Sequence, residues 1–174
     1  MNLVQDSPAW LLVLLIAILA AASIEDFTRR RISNITCGAA LLTALIAMGL
    51  NGFPMALWQN VVVFLVLLGA GTLLFASGKM GGGDVKLLAA LGLWVDINAG
   101  IWLLATVLLA GGALALIYIL VRVARGQRIG RKNETKGIPY GIAIAAGAAL
   151  IFAGQYGLFK SSQRVNPLDI RTLS

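Results

Sequence analysis

From Ile32 to Gly78 the chain carries no charged side chain, and from Ile97 to Val121 it carries none again. A soluble domain needs a polar exterior, so runs of this length must face hydrocarbon or one another. The composition agrees: of 174 residues, 59% are hydrophobic and only 12% are charged. A chain of this length suffices for one helical bundle and is too short for that bundle plus a soluble domain. The expectation is an all-α fold, a polytopic membrane helix bundle that forms one domain over residues 1–174.

Charges, glycine and proline mark the ends of six apolar segments. The first three run from about Ser7 to Asp26, Ile32 to Leu50 and Met55 to Ser77, with Asn51-Gly52-Phe53-Pro54 as the turn between the last two. The fourth, Asp84 to Trp94, gives roughly 16 Å of helix against roughly 30 Å of hydrocarbon. Either it continues through Asp96 and Asn98, or it is a short helix in a protein-lined region, where irregular backbone is tolerated. The fifth runs from about Gly100 to Val121 and the sixth from about Gly137 to Phe159, leaving residues 160–174 as a polar, flexible tail. Gly69, Gly71, Gly111, Gly112 and Gly147 are expected at close helix contacts. Trp10, Trp58, Trp94 and Trp102 are expected as interfacial anchors near outer ends.

Cytoplasmic loops are rich in Lys and Arg, and the charges here sort accordingly. With the amino terminus outside, the inner loops hold Arg29 to Arg31, Lys79, Lys86, Arg122, Arg125, Arg128, Arg131, Lys132 and Lys136. The outer side holds only Lys160, Arg164 and Arg171, so both termini are expected outside. The first segment reads as a retained helix, because Asp6 precedes it and Arg29-Arg30-Arg31 forms a stop-transfer flank. Topology therefore accounts for the net charge of +7 better than nucleic-acid binding does, and contact with the anionic lipid bilayer is the expected use of the basic loops.

Exclusion narrows the chemistry. The chain has no histidine and one cysteine, Cys37, which rules out Ser-His and Cys-His catalysis and leaves no ordinary zinc site. Cys37 reads most simply as a small buried apolar residue. Residues 78–86, GKMGGGDVK, lack the Gly-Lys-Ser/Thr ending of a phosphate loop, so no nucleotide is expected. No cofactor or metal is called for.

Acids remain. Asp6, Asp96 and Asp169 fall on the outer side, Glu134 lies in a basic loop, and Glu25 points about 100° away from its neighbour Asp26 around a helix. Asp26 and Asp84 both fall at cytoplasmic segment ends. Two adjacent carboxylates repel each other's charge and can share one proton, leaving one as general base and the other as general acid, which is the chemistry of an aspartic protease. Gly81 to Gly83 would let an extended substrate backbone approach Asp84. The same residues also fit a loop with a helix cap, and Asp26 fits a helix-end acid beside arginines. A small transporter or assembly protein using the two acids as proton or cation sites is the alternative from another class.

The motifs resemble those of the type IV prepilin peptidases, aspartic proteases with a Gly-x-Gly-Asp signature. Residues 81–86, GGGDVK, look like the second catalytic motif, and Asp26 followed by Arg31-Ile32-Ser33-Asn34 looks like the first. Residues 139–147, PYGIAIAAG, supply a third similarity. One departure is Ser33, where the family often has proline, which puts the stiffness of that loop in question. Presenilin-like proteases share Gly-x-Gly-Asp but usually have Tyr before the first Asp, where this chain has Glu25, and carry a Pro-Ala-Leu absent here. The resemblance implies catalytic Asp26 and Asp84, with Gly81, Gly83 and Lys86 contacting substrate; for Lys86 the choice is between steadying an aspartate charge and snorkelling. It implies a bacterial inner membrane enzyme that cleaves the basic leader of membrane-inserted prepilins on the cytoplasmic side. The short spacing from Asp26 to Ile32 leaves no room for the Cys-x-x-Cys region of larger members. It is similar to the Tad/Flp pilus-type peptidases, expected to cleave without methylating.

Overall fold

The predicted apolar runs become helices, and two of them, Asn34–Leu50 and Ile97–Ala124, begin at a capping side chain. The computed structural model describes residues 2–52, 54–78, 80–124 and 140–162, and its described elements are all helical. They are α1 (Leu3–Asp6), α2 (Ala9–Arg29), α3 (Asn34–Leu50), a 3₁₀ turn at Met55–Leu57, α4 (Trp58–Ala76), α5 (Gly82–Gly92), α6 (Ile97–Ala124) and α7 (Tyr140–Ser162). Arg30, in the left-handed region at φ 53°, stops α2 and donates its N–H to Asp26 O at 2.9 Å. Such a turn is usual for glycine and uncommon for a residue with a Cβ. At the start of α3 the Ser33 hydroxyl accepts from Thr36 N–H at 3.1 Å, and Asp96 caps α6 by accepting from Ala99 N–H at 2.8 Å.

Among the described residues, three stretches are long and apolar enough to cross a membrane: Ala9–Arg29, Met55–Ala76 and Ile97–Val121. Asn34–Leu50 and Tyr140–Gln155 are shorter apolar helices. Their outward faces carry Val13, Leu65, Leu73, Leu109 and Leu150, all exposed, an apolar exterior that suits lipid and not water.

The short helix α5 lies at the centre. It packs against α3, α4 and α7, and its residues are buried from Asp84 to Gly92 except Lys86. Of the two alternatives for this segment the second holds. The chain leaves α5 through tight turns, Trp94 N–H to Leu91 O at 3.0 Å and Val95 N–H to Gly92 O at 3.4 Å, and Asp96 begins the next helix. Protein surrounds the break, so its backbone groups need no lipid-facing partner. The fully buried Asn60 of α4 donates Nδ2–H to Leu93 O at 2.8 Å. Asn60→Ala should therefore strand that carbonyl and lower stability in mixed-micelle denaturation by about 1–3 kcal/mol. An unchanged denaturation midpoint would show that the bond contributes nothing net.

Glycine lets the helices approach. A Cβ on Gly71 would stand 2.6 Å from Val85 Cγ1, and one on Gly147 would stand 2.9 Å from the Val107 backbone N. Val63 fills two such niches, at Gly92 and Gly100, and so joins α4 to α5 and α6. Gly111 faces Tyr140, but Gly69 and Gly112 have nothing within 4 Å of a built Cβ and make no close contact, contrary to expectation. Trp10, Trp58 and Trp102 are exposed, as interfacial anchors would be. Trp94 is not an anchor: it is fully buried, because the segment it ends lies inside the bundle. Helix α7 runs past Lys160 to Ser162, shortening the expected tail. Residues 163–174 lie outside the described residues, as do Lys79 and the basic residues from Arg125 to Lys136.

Candidate active site

Asp26 occupies the last turn of α2, and the helix fixes which neighbour it meets. Its Oδ2 accepts from the Gly141 N–H at 2.7 Å, so the carboxylate sits on the amino-terminal end of α7. That end carries unsatisfied N–H groups and a partial positive charge, which favour an anion. Asp26 is only 4% exposed, too little for bulk water to do the same work.

Asp84 occupies the first turn of α5 in a related way. The glycine run opens the helix, with Gly81 as its extended N-cap, and Asp84 Oδ2 accepts from the Gly81 N–H at 3.2 Å. The side chain is buried, and its Oδ1 makes no hydrogen bond among the described residues.

Ile32 joins the two acids. Its backbone is the surface on which Gly83 rests: a Cβ on Gly83 would stand 2.8 Å from Ile32 O and 3.3 Å from Ile32 N. Its side chain lies against the other site, since a Cβ on Gly141 would stand 2.9 Å from Ile32 Cδ1 and 2.8 Å from Asp26 Oδ2. Asp26 and Asp84 thus lie at one end of the bundle, on either side of Ile32. Glycine is required at both contacts because any side chain would collide with backbone or with a carboxylate.

The other expected site residues fall around this pair. Gly81 is exposed at the rim. Gly83 is half-buried, and its carbonyl accepts from Cys37 Sγ at 3.4 Å; Cys37 itself is buried, as expected. Lys86 is exposed, and its Nζ donates to Asn34 Oδ1 at 2.8 Å, tying α5 to the start of α3. Ser33, the departure from the family pattern, supplies the cap of α3, and its N–H is held by Glu25 Oε2 at 2.9 Å. Hydrogen bonds fix the loop where a proline ring is missing. Among the described residues no three His, Cys, Asp or Glu side chains gather as metal ligands would.

An apolar cavity of about 330 Å³ is bounded by Leu74, Leu88, Leu104, Gly111 and Ile144, with Met80 and Tyr140 also lining it. These last two directly precede Gly81 and Gly141, whose N–H groups hold the two carboxylates. In the sequence, Ile32 and Gly141 lie in the first and third motifs, where neither has a role of its own, and Glu25 reads only as pointing away from Asp26. The signal for Gly141 was its place at the start of the last apolar run, where a helix presents free N–H groups.

Residues 13–120 match the model of the type IV leader peptidase family. The match includes Asp26, Ile32 and Asp84 and ends before Gly141. The comparison with curated proteins and that with solved structures each gave no match.

Proposed function

The chain belongs to the type IV leader peptidase family, and from that premise we propose that it is a membrane-embedded aspartic endopeptidase in which Asp26 and Asp84 remove the basic leader of prepilins. The observation that carries this reading is the seating of Asp26 and Asp84 on either side of Ile32, at one end of an apolar bundle. One carboxylate takes a proton from water as the oxygen attacks the scissile carbonyl carbon. The other, protonated, donates to the carbonyl oxygen. The tetrahedral intermediate then collapses, the C–N bond breaks and the leaving amine receives the proton.

The rim at Gly81 and Lys86 borders the approach of the extended leader backbone, with Gly83 holding the floor on Ile32. Side chains of the apolar segment after the cleavage point enter the cavity between Leu74 and Gly111. The distribution of Lys and Arg supports placing this end of the bundle on the cytoplasmic side of the bacterial inner membrane, with both termini outside. The short spacing between Asp26 and Ile32 supports a Tad/Flp-type substrate and cleavage without methylation.

The purified protein in lipid vesicles, given a synthetic Flp-type prepilin, should yield one new amino terminus after the leader, read by mass spectrometry. With S-adenosylmethionine present, that terminus should stay unmethylated. An uncut prepilin would reject the reading, and a methylated product would reject its second part.

A further inference from the structure

Two consecutive acids end α2, and they bind the starts of two different helices. Adjacent helical residues diverge by about 100°, so Asp26 reaches α7 while Glu25 reaches α3. Glu25 Oε2 accepts twice, from Ser33 N–H at 2.9 Å and from the Thr36 hydroxyl at 2.9 Å. The Ser33 hydroxyl in turn lies 2.9 Å from that of Thr36 and accepts its N–H at 3.1 Å. This clasp closes the loop from Arg30 to Ser33 back onto the helix it left.

Ile32 stands inside that loop. The left-handed turn at Arg30 fixes it from one side and the clasp at Ser33 from the other. It is also the contact surface shared by Gly83 and Gly141, so its position sets how the Asp84 helix stands against Asp26. We propose that Glu25 is a positioning residue for the dyad, acting through Ser33 and Thr36 on Ile32. The inference rests on the peptidase reading. Glu25 takes no part in the proton transfers; it holds the spacer that places the two groups that do.

A side chain that only caps α3 would affect stability alone, whereas one that sets the dyad's spacing would affect turnover in folded protein. Misplacement of a reacting group by about 1 Å can cost about 10²-fold in rate. Glu25→Ala should lower kcat for leader cleavage at least about tenfold and leave KM within about twofold. Glu25→Gln keeps an acceptor oxygen for both donors and should restore kcat to within about threefold of the parent protein. Ser33 has φ −71°, a value proline adopts without strain, so Ser33→Pro placed in the Glu25→Ala protein should stiffen the loop by other means and recover most of the lost kcat.

Asp26→Asn and Asp84→Asn are assayed in parallel. If they cleave like the parent, the peptidase reading itself fails. If they are inactive while Glu25→Ala turns over normally, the positioning role alone is overturned. Equal inactivity of Glu25→Gln and Glu25→Ala would also overturn it, since the carboxylate would then be doing proton chemistry. So would a folded Glu25→Ala, Ser33→Pro protein that stays slow.

Discussion

Asp84→Asn should give a protein that inserts and folds normally and cleaves no prepilin. Asparagine keeps the shape of the side chain and can still accept the Gly81 N–H through its amide oxygen, so the start of α5 survives. What it cannot do is exchange a proton with water or with the substrate carbonyl. General acid-base groups contribute about 10²–10⁴-fold each, so single-turnover cleavage should fall by at least that factor. Asp26→Asn should behave alike, its amide oxygen taking the Gly141 N–H. The double variant should be scarcely slower than either single one, because the two groups act as a unit and their losses do not multiply. Cleavage at the parent rate by either single variant, with insertion verified by protease protection, would refute the assignment. Parent-like cleavage by both would return the two acids to the transport alternative.

The acids were legible because their costs are. A carboxylate beside hydrocarbon is expensive, and Asp84 after three glycines announced a helix start. Six of the seven described helices, α2 to α7, were legible for the same reason, since charge and glycine mark where lipid ends; the short α1 was not. Other features were hidden by the kind of information they need. That Trp94 is interior and not interfacial follows from where α5 sits among its neighbours, which its own residues do not state. Gly69 and Gly71 are two residues apart in one helix, yet only Gly71 meets Val85; facing direction separates them, and direction belongs to the packed pair. The clasp at Glu25 spans eight residues to Ser33 and eleven to Thr36, and depends on a turn that Arg30 makes without glycine. Helix geometry correctly sent Glu25 away from Asp26; what stood on its other side needed coordinates.

Gly141→Ala should be nearly as damaging as loss of an aspartate, for a different reason. Its methyl group would stand 2.8 Å from Asp26 Oδ2 and 2.9 Å from Asp26 Cβ, and Ile32 Cδ1 at 2.9 Å blocks a further route of escape. The flexible end of Ile32 can give way, but the Asp26 carboxylate cannot do so and keep its 2.7 Å bond to the Gly141 N–H. Displacing that carboxylate by about 1 Å is enough to lower cleavage about 10²-fold. Two matched substitutions isolate the effect. Gly147→Ala meets the backbone of Val107 at 2.9 Å and should weaken the packing of α7 on α6, lowering stability without touching a carboxylate. Gly69→Ala meets nothing and, in a helix interior, should be neutral or stabilising by about 0.5–1 kcal/mol. Cleavage rates and denaturation midpoints for the three proteins separate the contributions: Gly141→Ala should lose rate out of proportion to stability, Gly147→Ala stability out of proportion to rate, and Gly69→Ala neither. If Gly141→Ala cleaves at the parent rate, the seat of Asp26 on α7 has no part in holding the dyad, and the hydrogen bond there is only a helix cap.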